Sequence, residues 1–557
     1  MSACRCQLAN TGIWRLPFRL LAGPLLACVA SVVGTRSVAA DEPPAAPRPN
    51  VLVVLTDDLG YSDLGCYGSE IATPTLDRLA TNGLRFSQFY STAKCHSSRV
   101  SLLTGRWCRQ AGDESMAKAV TLPEVLRPAG YFTAACGKWH LTKQPTDFGF
   151  DRYFGHLSGS TDYFKGDKTF RLNAVPWQVP AEGFYTTIAN VDFALRFLAD
   201  ARVDKKPWFL YLAFNAPHAP IQPLKEDFEK YRNRYTVGWD EIHKARVEKV
   251  RQLGLLPADA KATPRPGHIP AWADLTPAVR DWESRRMAGY AGLIDRVDRE
   301  LGRLVADLER AGELDNTLIL FFSDNGACPY DRNNQGLDLP PYDPAARWTD
   351  STGWAWVRNA PFRYYKQNQF EGGIATPAVA HWPAGLKTKP GAINDTPAHL
   401  VDLLPTVADL AGASIPKEFP GREPTPLAGV SLAPILAGRA LPQRPPLHFL
   451  YQNDRALRDG DWKLVSFRGG PWELYHIADD RTELHNLAAA QPDRVKRMAT
   501  EWHRMTREVL HAPPREQRPV ADQATPQTHP EWSDYSGKRG AETSRRRTGA
   551  ARPKPSS

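Results

Sequence analysis

Short apolar runs that end in polar clusters recur between residues 51 and 326. Val51–Leu55 runs into Thr56-Asp57-Asp58, and Tyr131–Cys136 into Gly137-Lys138-Trp139-His140. Trp208–Phe214 runs into Asn215-Ala216-Pro217-His218, and Thr317–Phe322 into Ser323-Asp324-Asn325-Gly326. Uninterrupted runs of this length read as strands buried on both faces. Between them the apolar period becomes helical. Pro74–Asn82 is closed by Gly83, and Asp192–Leu198 continues an amphipathic stretch. Asp281–Ala311 is a long helix with Met287, Tyr290, Leu293, Ile294, Val297, Leu301 and Leu304 on one face. This alternation, from Val51 to Gly412, predicts an α/β fold with a mostly parallel central sheet flanked by helices. A proline-rich passage, Ile415–Pro446, follows. Beyond it, His448–Tyr451, Lys463–Ser466 and Trp472–His476 predict a small antiparallel sheet, and Pro492–Val509 a closing helix.

In an open parallel sheet the loops past the carboxyl ends of the strands meet in one crevice. Asp57, Asp58, Lys138, His140, His218, Asp324 and Asn325 would therefore converge. Hard oxygen ligands from two loops suit calcium or magnesium. Lysine and histidine beside such a cation suit an oxyanion. Each cluster also has an ordinary reading. Asp57-Asp58 can cap a turn, and Asp-Asn-Gly is a good turn by itself. Pro217-His218 can be a satisfied loop histidine, and Lys138 an exposed lysine beside a packed tryptophan. A single anion-and-metal site accounts for all four at once.

The segment Lys94-Cys95-His96-Ser97-Ser98-Arg99-Val100-Ser101-Leu102-Leu103-Thr104-Gly105-Arg106 adds a nucleophile. Cys95 and Arg99, four apart, share a helical face. Ser98–Leu103 reads as a helix start with Ser97 as N-cap. A helix N-terminus favours anions and acidifies a thiol. Taken alone, a buried inert cysteine is the commoner reading of this pattern.

This segment resembles the signature of type I sulfatases, Cys-x-Pro-x-Arg followed by Ser-Leu-Leu-Thr-Gly-Arg, with Ser97 where the family usually has proline. Asn50–Gly60, Gly137–His140, Pro217-His218 and Ser323–Gly326 resemble further motifs of that family, in its order. Lys366-Gln367-Asn368-Gln369-Phe370-Glu371-Gly372-Gly373 resembles its Lys-x-x-x-x-Glu-Gly-Gly loop. Ala375-Thr376-Pro377 stands where Arg-Val-Pro is commoner, a change expected to affect loop packing.

The resemblance implies an alkaline-phosphatase-like fold and a sulfuric ester hydrolase, nearest in appearance to bacterial arylsulfatases. It implies that Cys95 is oxidised to formylglycine by a formylglycine-generating or radical maturation enzyme. Asp57, Asp58, Asp324, Asn325 and residue 95 would hold Ca2+, with Mg2+ as the alternative. Arg99 would favour the ionised aldehyde hydrate, Lys138 and Lys366 would contact sulfate, His218 would protonate the leaving alcohol, and His140 would take a proton from the second hydroxyl. The expected substrate is an aryl or carbohydrate sulfate ester. Two other readings share the fold: a phosphonate or phosphodiester hydrolase, and an inactive sulfate-glycan-binding protein in which Cys95 stays a thiol.

Charge changes the picture little. The net charge is +9 over 557 residues. Residues 1–40 carry four arginines and no acid, and residues 511–557 carry nine Lys and Arg against five acids. Each end thus holds +4, and the body between holds +1. Nucleic-acid binding need not be invoked. Residues 1–40 read as a signal peptide. Arg15 and Arg19 precede an apolar run interrupted by Gly23 and Pro24, and Val38-Ala39-Ala40 offers a cleavage site. Secretion or a periplasmic location is expected, without a transmembrane span. Leu25-Leu26-Ala27-Cys28 gives a lipoprotein anchor as the lesser alternative. The expected organisation is a leader at 1–40, a catalytic domain at 41–440, a C-terminal subdomain at 441–510 and a disordered basic tail at 511–557.

Cys4, Cys6 and Cys28 fall in the leader. Setting Cys95 aside leaves Cys66, Cys108, Cys136 and Cys328, enough for up to two disulfides. Tyr235–Asp240 with Leu253–Pro257 resembles a bacterial arylsulfatase subgroup and is expected to fold over the mouth of the site. Trp354, Trp356 and Tyr364 read either as rings for stacking on substrate or as packing residues.

Overall fold

The computed structural model describes residues 48–332, 334–510 and 531–535. The proposed leader, its three cysteines and its cleavage site lie outside the described residues.

The four apolar runs are adjacent parallel strands at the centre of an eleven-stranded sheet. Asn50–Thr56 lies between Trp208–Ala213 and Thr317–Ser323, with Val53 opposite both Tyr211 and Leu320. Phe132–Gly137 adds in parallel to the outer edge of Trp208–Ala213, and Arg152–His156 adds to it. On the other side, Ala375–His381 runs antiparallel to both Thr317–Ser323 and Leu84–Tyr90. The sheet is therefore mixed but mostly parallel.

Side-chain alternation divides the core into two layers. Leu52, Val54, Leu210, Leu212, Ile319 and Phe321 face the long helix Pro277–Arg310, through Leu293, Val297 and Leu301. Val51, Val53, Leu55, Phe209, Leu320 and Phe322 face Cys95–Thr104 and Leu403–Ala411, through Val100, Leu103 and Leu404. Burial on both faces is why these strands read as unbroken apolar runs.

The C-terminal sheet has four antiparallel strands, Leu447–Tyr451, Asp454–Asp459, Trp462–Ser466 and Glu473–His476. Helix Pro492–Leu510 lies on it, packing Met498, Trp502 and Met505 against Leu457, Leu464 and Leu474. Asp454–Asp459 is a strand absent from the sequence expectation, because its only apolar residues are Ala456 and Leu457. A buried ion cluster ties this sheet to the main body. Lys463 Nζ lies 2.9 Å from Glu371 Oε1 and 2.8 Å from Glu483 Oε1, while Arg481 Nε meets Glu371 Oε2 at 2.8 Å.

Residues 531–535, which the sequence places in an unstructured tail, instead pack on the body. Trp532 stacks on His268 with ring centroids 4.4 Å apart and bridges to Tyr330, and Tyr535 Oη accepts from Gly353 N at 2.9 Å. Cys66, Cys95, Cys108, Cys136 and Cys328 are all free thiols, so no disulfide forms among the described residues. No helix there is long and apolar enough to cross a membrane.

Candidate active site

Helix Cys95–Thr104 starts at Cys95 itself, with Lys94 in extended conformation as its N-cap. The expected cap at Ser97 is thus corrected. The hydroxyl that organises the turn is that of Ser98, which accepts from Thr92 N at 3.0 Å and donates to the Asp324 carbonyl at 2.5 Å. Ser97 sits in the first turn. A proline there would lose only an N–H that has no intrahelical partner. Serine therefore replaces proline without disturbing the helix.

One turn on, buried Arg99 joins three loops. Its Nη2 lies 2.8 Å from Asp324 Oδ2 and 3.7 Å from Asp57 Oδ2, and its Nη1 donates to the Lys138 carbonyl at 2.9 Å. Lys138 Nζ pairs directly with Asp57 Oδ2. Lys366 Nζ lies 2.5 Å from Asp58 Oδ1, which also accepts from Asn325 Nδ2 at 2.6 Å. His218 Nε2 faces Asp58 Oδ2 at 3.6 Å. The structure thus gathers Asp57, Asp58, Cys95, Arg99, Lys138, His218, Asp324, Asn325 and Lys366 at one end of the sheet.

Backbone strain marks the same place. Asp58 and His140 hold φ of 67° and 58°, a region sparsely used by residues other than glycine. Gly326 is required for a different reason. A Cβ there would come within 1.9 Å of the Gly372 carbonyl, and this close approach brings the Lys366 loop against Asp324-Asn325.

Burial works against all three carboxylates, and the neighbouring cations overcome it for two of them. For Asp57, Lys138 foremost overcomes burial and holds the group far below the usual carboxylate range. For Asp58, Lys366 does the same, to about 2. Asp324 touches Arg99, yet burial and the neighbouring Asp57 charge outweigh that contact and push it up to about 7. His140 is held neutral, chiefly by burial and then by Lys138. Its Nδ1 is buried without a partner, and its ring lies edge-on to His96 at 5.9 Å. His218 Nδ1 lies 2.6 Å from the Ala219 carbonyl, which can only accept, so that nitrogen carries a proton and Nε2 faces the site.

Three buried oxygens here have no hydrogen-bond partner: Asp57 Oδ1, Asp58 Oδ2 and Asn325 Oδ1. Buried polar atoms are ordinarily paired. Ligating atoms of Asp57, Cys95 and Asp324 lie within 4.8 Å of one another, as do those of Asp57, Asp58 and His218. Orphaned hard oxygens of this kind fit a divalent cation.

Several supporting residues carry no sequence signal of their own. Arg358 Nη2 donates to the Asp58 carbonyl at 2.6 Å while its Nη1 pairs with Asp350 at 2.7 Å. Thr376 Oγ1 accepts from Ser323 N at 2.7 Å, a contact made by one of the residues that replace Arg-Val-Pro. Trp354, Trp356 and Tyr364 prove to be packing residues. Trp354 Nε1 donates to the Glu283 carbonyl, and Trp356 stacks on His243 at 3.9 Å. Segment 235–257 is anchored by Arg246 to Asp63 and Glu70 and does not line the cavity beside His218, which is walled by Ser160, residues 218–220 and residues between 328 and 350.

Residues 49–413 match the family model described as Sulfatase. An uncharacterised sulfatase of Schizosaccharomyces pombe is 31% identical over 524 residues, covering 82% of this chain and 93% of the relative. An arylsulfatase of Klebsiella aerogenes is 30% identical over 460 residues, covering 72% and 94%. The crystal structure of Ps i-CgsB in complex with k-i-k-neocarrahexaose superposes with a TM-score of 0.63 at 26% identity, covering 86% of this chain and 98% of that one. With this fold, and with these residues gathered at its crevice, the chain belongs to the sulfatase family and is a sulfuric ester hydrolase.

Proposed function

We propose that this enzyme hydrolyses aryl or carbohydrate sulfate esters through a formylglycine formed from Cys95. Asp57, Asp58, Asp324 and Asn325 would hold a divalent cation beside it. The reading is carried by the three buried oxygens without a hydrogen-bond partner, Asp57 Oδ1, Asp58 Oδ2 and Asn325 Oδ1, with Asp57 in one cluster with Cys95 and in another with Asp58, which Asn325 contacts. An all-oxygen donor set favours calcium, with magnesium as the alternative. When bound, the cation withdraws charge from a sulfate oxygen. An aldehyde hydrate at residue 95 supplies two hydroxyls, one to bond to sulfur and one whose later ionisation expels sulfate.

The chain's own residues divide the remaining work. Arg99, fixed by Asp324 and the Lys138 carbonyl, places positive charge one helical turn from residue 95 and favours an ionised hydroxyl there. Lys138 and Lys366 each spend one donor on a carboxylate. Each ammonium keeps two more for sulfate oxygens as charge grows on them. His218, with Nδ1–H fixed by the Ala219 carbonyl, gives a proton from Nε2 to the departing alcohol oxygen in its imidazolium form, which burial disfavours and the facing Asp57 and Asp58 carboxylates favour. His140, whose buried Nδ1 has no hydrogen-bond partner, would accept the proton of the second hydroxyl.

Residues 41–440 would form the catalytic domain and 441–510 a subdomain that steadies the Lys366 loop through Glu371. Residues 1–40 would direct export to the periplasm or beyond, giving a mature N-terminus at Asp41. A maturation enzyme of the formylglycine-generating or radical type is the implied partner. The test is turnover of 4-nitrophenyl sulfate against 4-nitrophenyl phosphate and a phosphonate ester, after co-expression with such an enzyme. Preference for the sulfate supports the reading. Preference for either phosphorus ester moves the chain to the phosphonate or phosphodiester class. Binding of sulfated glycans without turnover points to the inactive form.

A further inference from the structure

A cavity of about 180 Å³ opens beside His218 and is lined by Ser160, Tyr330, Arg332, Arg347 and Asp350 among others. Two of those side chains are guanidinium groups. The lining carboxylate, Asp350, is buried and already committed to Arg358 at 2.7 Å. Arg347 is 44% exposed, and its Nη1 donates to Asp162 Oδ2 at 3.2 Å. That contact uses one of five donors. Arg332 is 41% exposed, pairs with Glu531 at 2.9 Å and lies 5.0 Å over the Tyr330 ring.

Both arginines project from fixed backbone. Arg347 exchanges two hydrogen bonds with Gln335, at 3.0 and 3.1 Å. Arg332 N donates to Thr349 Oγ1 at 3.0 Å, and the neighbouring Asp331 N donates to the Glu531 carbonyl at 2.8 Å. The wall is therefore preorganised, and the docked segment 531–535 braces it through Glu531. The candidate rings for stacking on a flat aryl group, Trp354 and Trp356, are buried in the core.

We propose that this cavity is the subsite for the leaving group and that it takes a sugar carrying a second anionic substituent, a carboxylate or another sulfate, bound by Arg347 and Arg332. This rests on the reading of His218 as proton donor to the departing alcohol, which places that alcohol at the cavity mouth. Guanidinium groups bind carboxylate and sulfate through paired, charge-assisted hydrogen bonds. The cavity is small, so the second anion belongs to the ring that bears the scissile ester or to its immediate neighbour.

The test compares a monosulfated sugar with the same sugar carrying a second sulfate or a carboxylate, using matured full-length enzyme. The wild type is expected to show kcat/KM about tenfold or more higher for the doubly anionic substrate. That advantage should shrink as salt screens the arginines. Arg347→Ala should lower the ratio of the two kcat/KM values about tenfold, and Arg347→Lys should restore part of it. Turnover of 4-nitrophenyl sulfate by each variant reports that it has folded. If a variant fails that control, the wild-type ratio and its salt dependence decide alone. Equal kcat/KM values in the wild type, or a ratio that Arg347→Ala leaves untouched, overturn the subsite. Absence of sulfate release from 4-nitrophenyl sulfate and from both sugar sulfates by the matured wild type would instead overturn the sulfate-ester reading beneath it.

Discussion

Arg99 Nη2 meets Asp324 Oδ2 at 2.8 Å, and both side chains are fully buried. This contact joins the helix that begins with Cys95 to the strand end that carries Asp324-Asn325. It also fixes where the guanidinium stands relative to residue 95. The same guanidinium donates to the Lys138 carbonyl, so a third loop depends on it.

Arg99→Ala leaves Asp324 without its ion partner and is expected to cost about 3–5 kcal/mol of stability, read as a lower midpoint in urea. Activity should fall further than stability explains. Arg99→Lys is expected to recover stability in part and activity little, because an ammonium cannot bridge Asp324 and the Lys138 carbonyl with the same planar fork.

For His218→Ala the expected loss of kcat is about 10²–10⁴-fold on alkyl sulfates. It should be much smaller on 4-nitrophenyl sulfate, whose leaving oxygen needs little protonation. A series of aryl sulfates of rising phenol pKa should thus give a steeper fall in rate for the variant. Equal slopes for variant and wild type would remove His218 from the proton-donor role.

Metal dependence should be visible in stability as well as turnover. A ligand present at 100 times its Kd adds about 2.7 kcal/mol to the folded state. Chelation is therefore expected to lower Tm, and calcium to restore it. Asn325→Ala, which removes one orphaned oxygen, should abolish most of the calcium-dependent rise in Tm. A chelated protein with unchanged Tm and full activity would contradict the cation site.

How much of this was legible in the residue order depends on what each residue touches. The central strands were, because burial on both faces leaves an unbroken apolar run, as in Val51–Leu55. Asp57, Asp58, Lys138, His218, Asp324 and Asn325 were, because each follows such a run, whereas the roles of Cys95, Arg99 and Lys366 came from the resemblance to a family signature. Arg358 and Asp350 were not, since Arg358 reaches the Asp58 carbonyl across 300 positions. The start of the Cys95 helix was misplaced by assigning the capping role to Ser97, when Ser98 supplies the organising hydroxyl through a contact with distant Asp324. Strand Asp454–Asp459 escaped because charged residues occupy most of it. The docking of residues 531–535 escaped because Trp532 and Tyr535 are isolated in a polar, basic context.

Asp454 offers a pH test at a buried carboxyl outside the proposed metal ligands. Burial pushes its carboxyl up to about 7 from 3.8, against the hydrogen bond from Asn368. A raised folded value means that the fold binds the proton more tightly than the unfolded chain does. The associated stability is fully present below about pH 4 and is lost as pH rises through about 7, at up to about 1.4 kcal/mol per pH unit. Asp454→Asn should flatten that part of the profile, measured as Tm between pH 4 and 8, and should raise Tm at the alkaline end.

The chemistry at residue 95 is tested most directly by mass spectrometry of the tryptic peptide Cys95-His96-Ser97-Ser98-Arg99 from matured, active enzyme. Formylglycine lowers the peptide mass by about 18 Da, and the modified fraction should rise and fall with the rate of sulfate release across preparations. An active preparation in which every copy of this peptide retains the thiol mass, yet sulfate is released at full rate, would contradict the account.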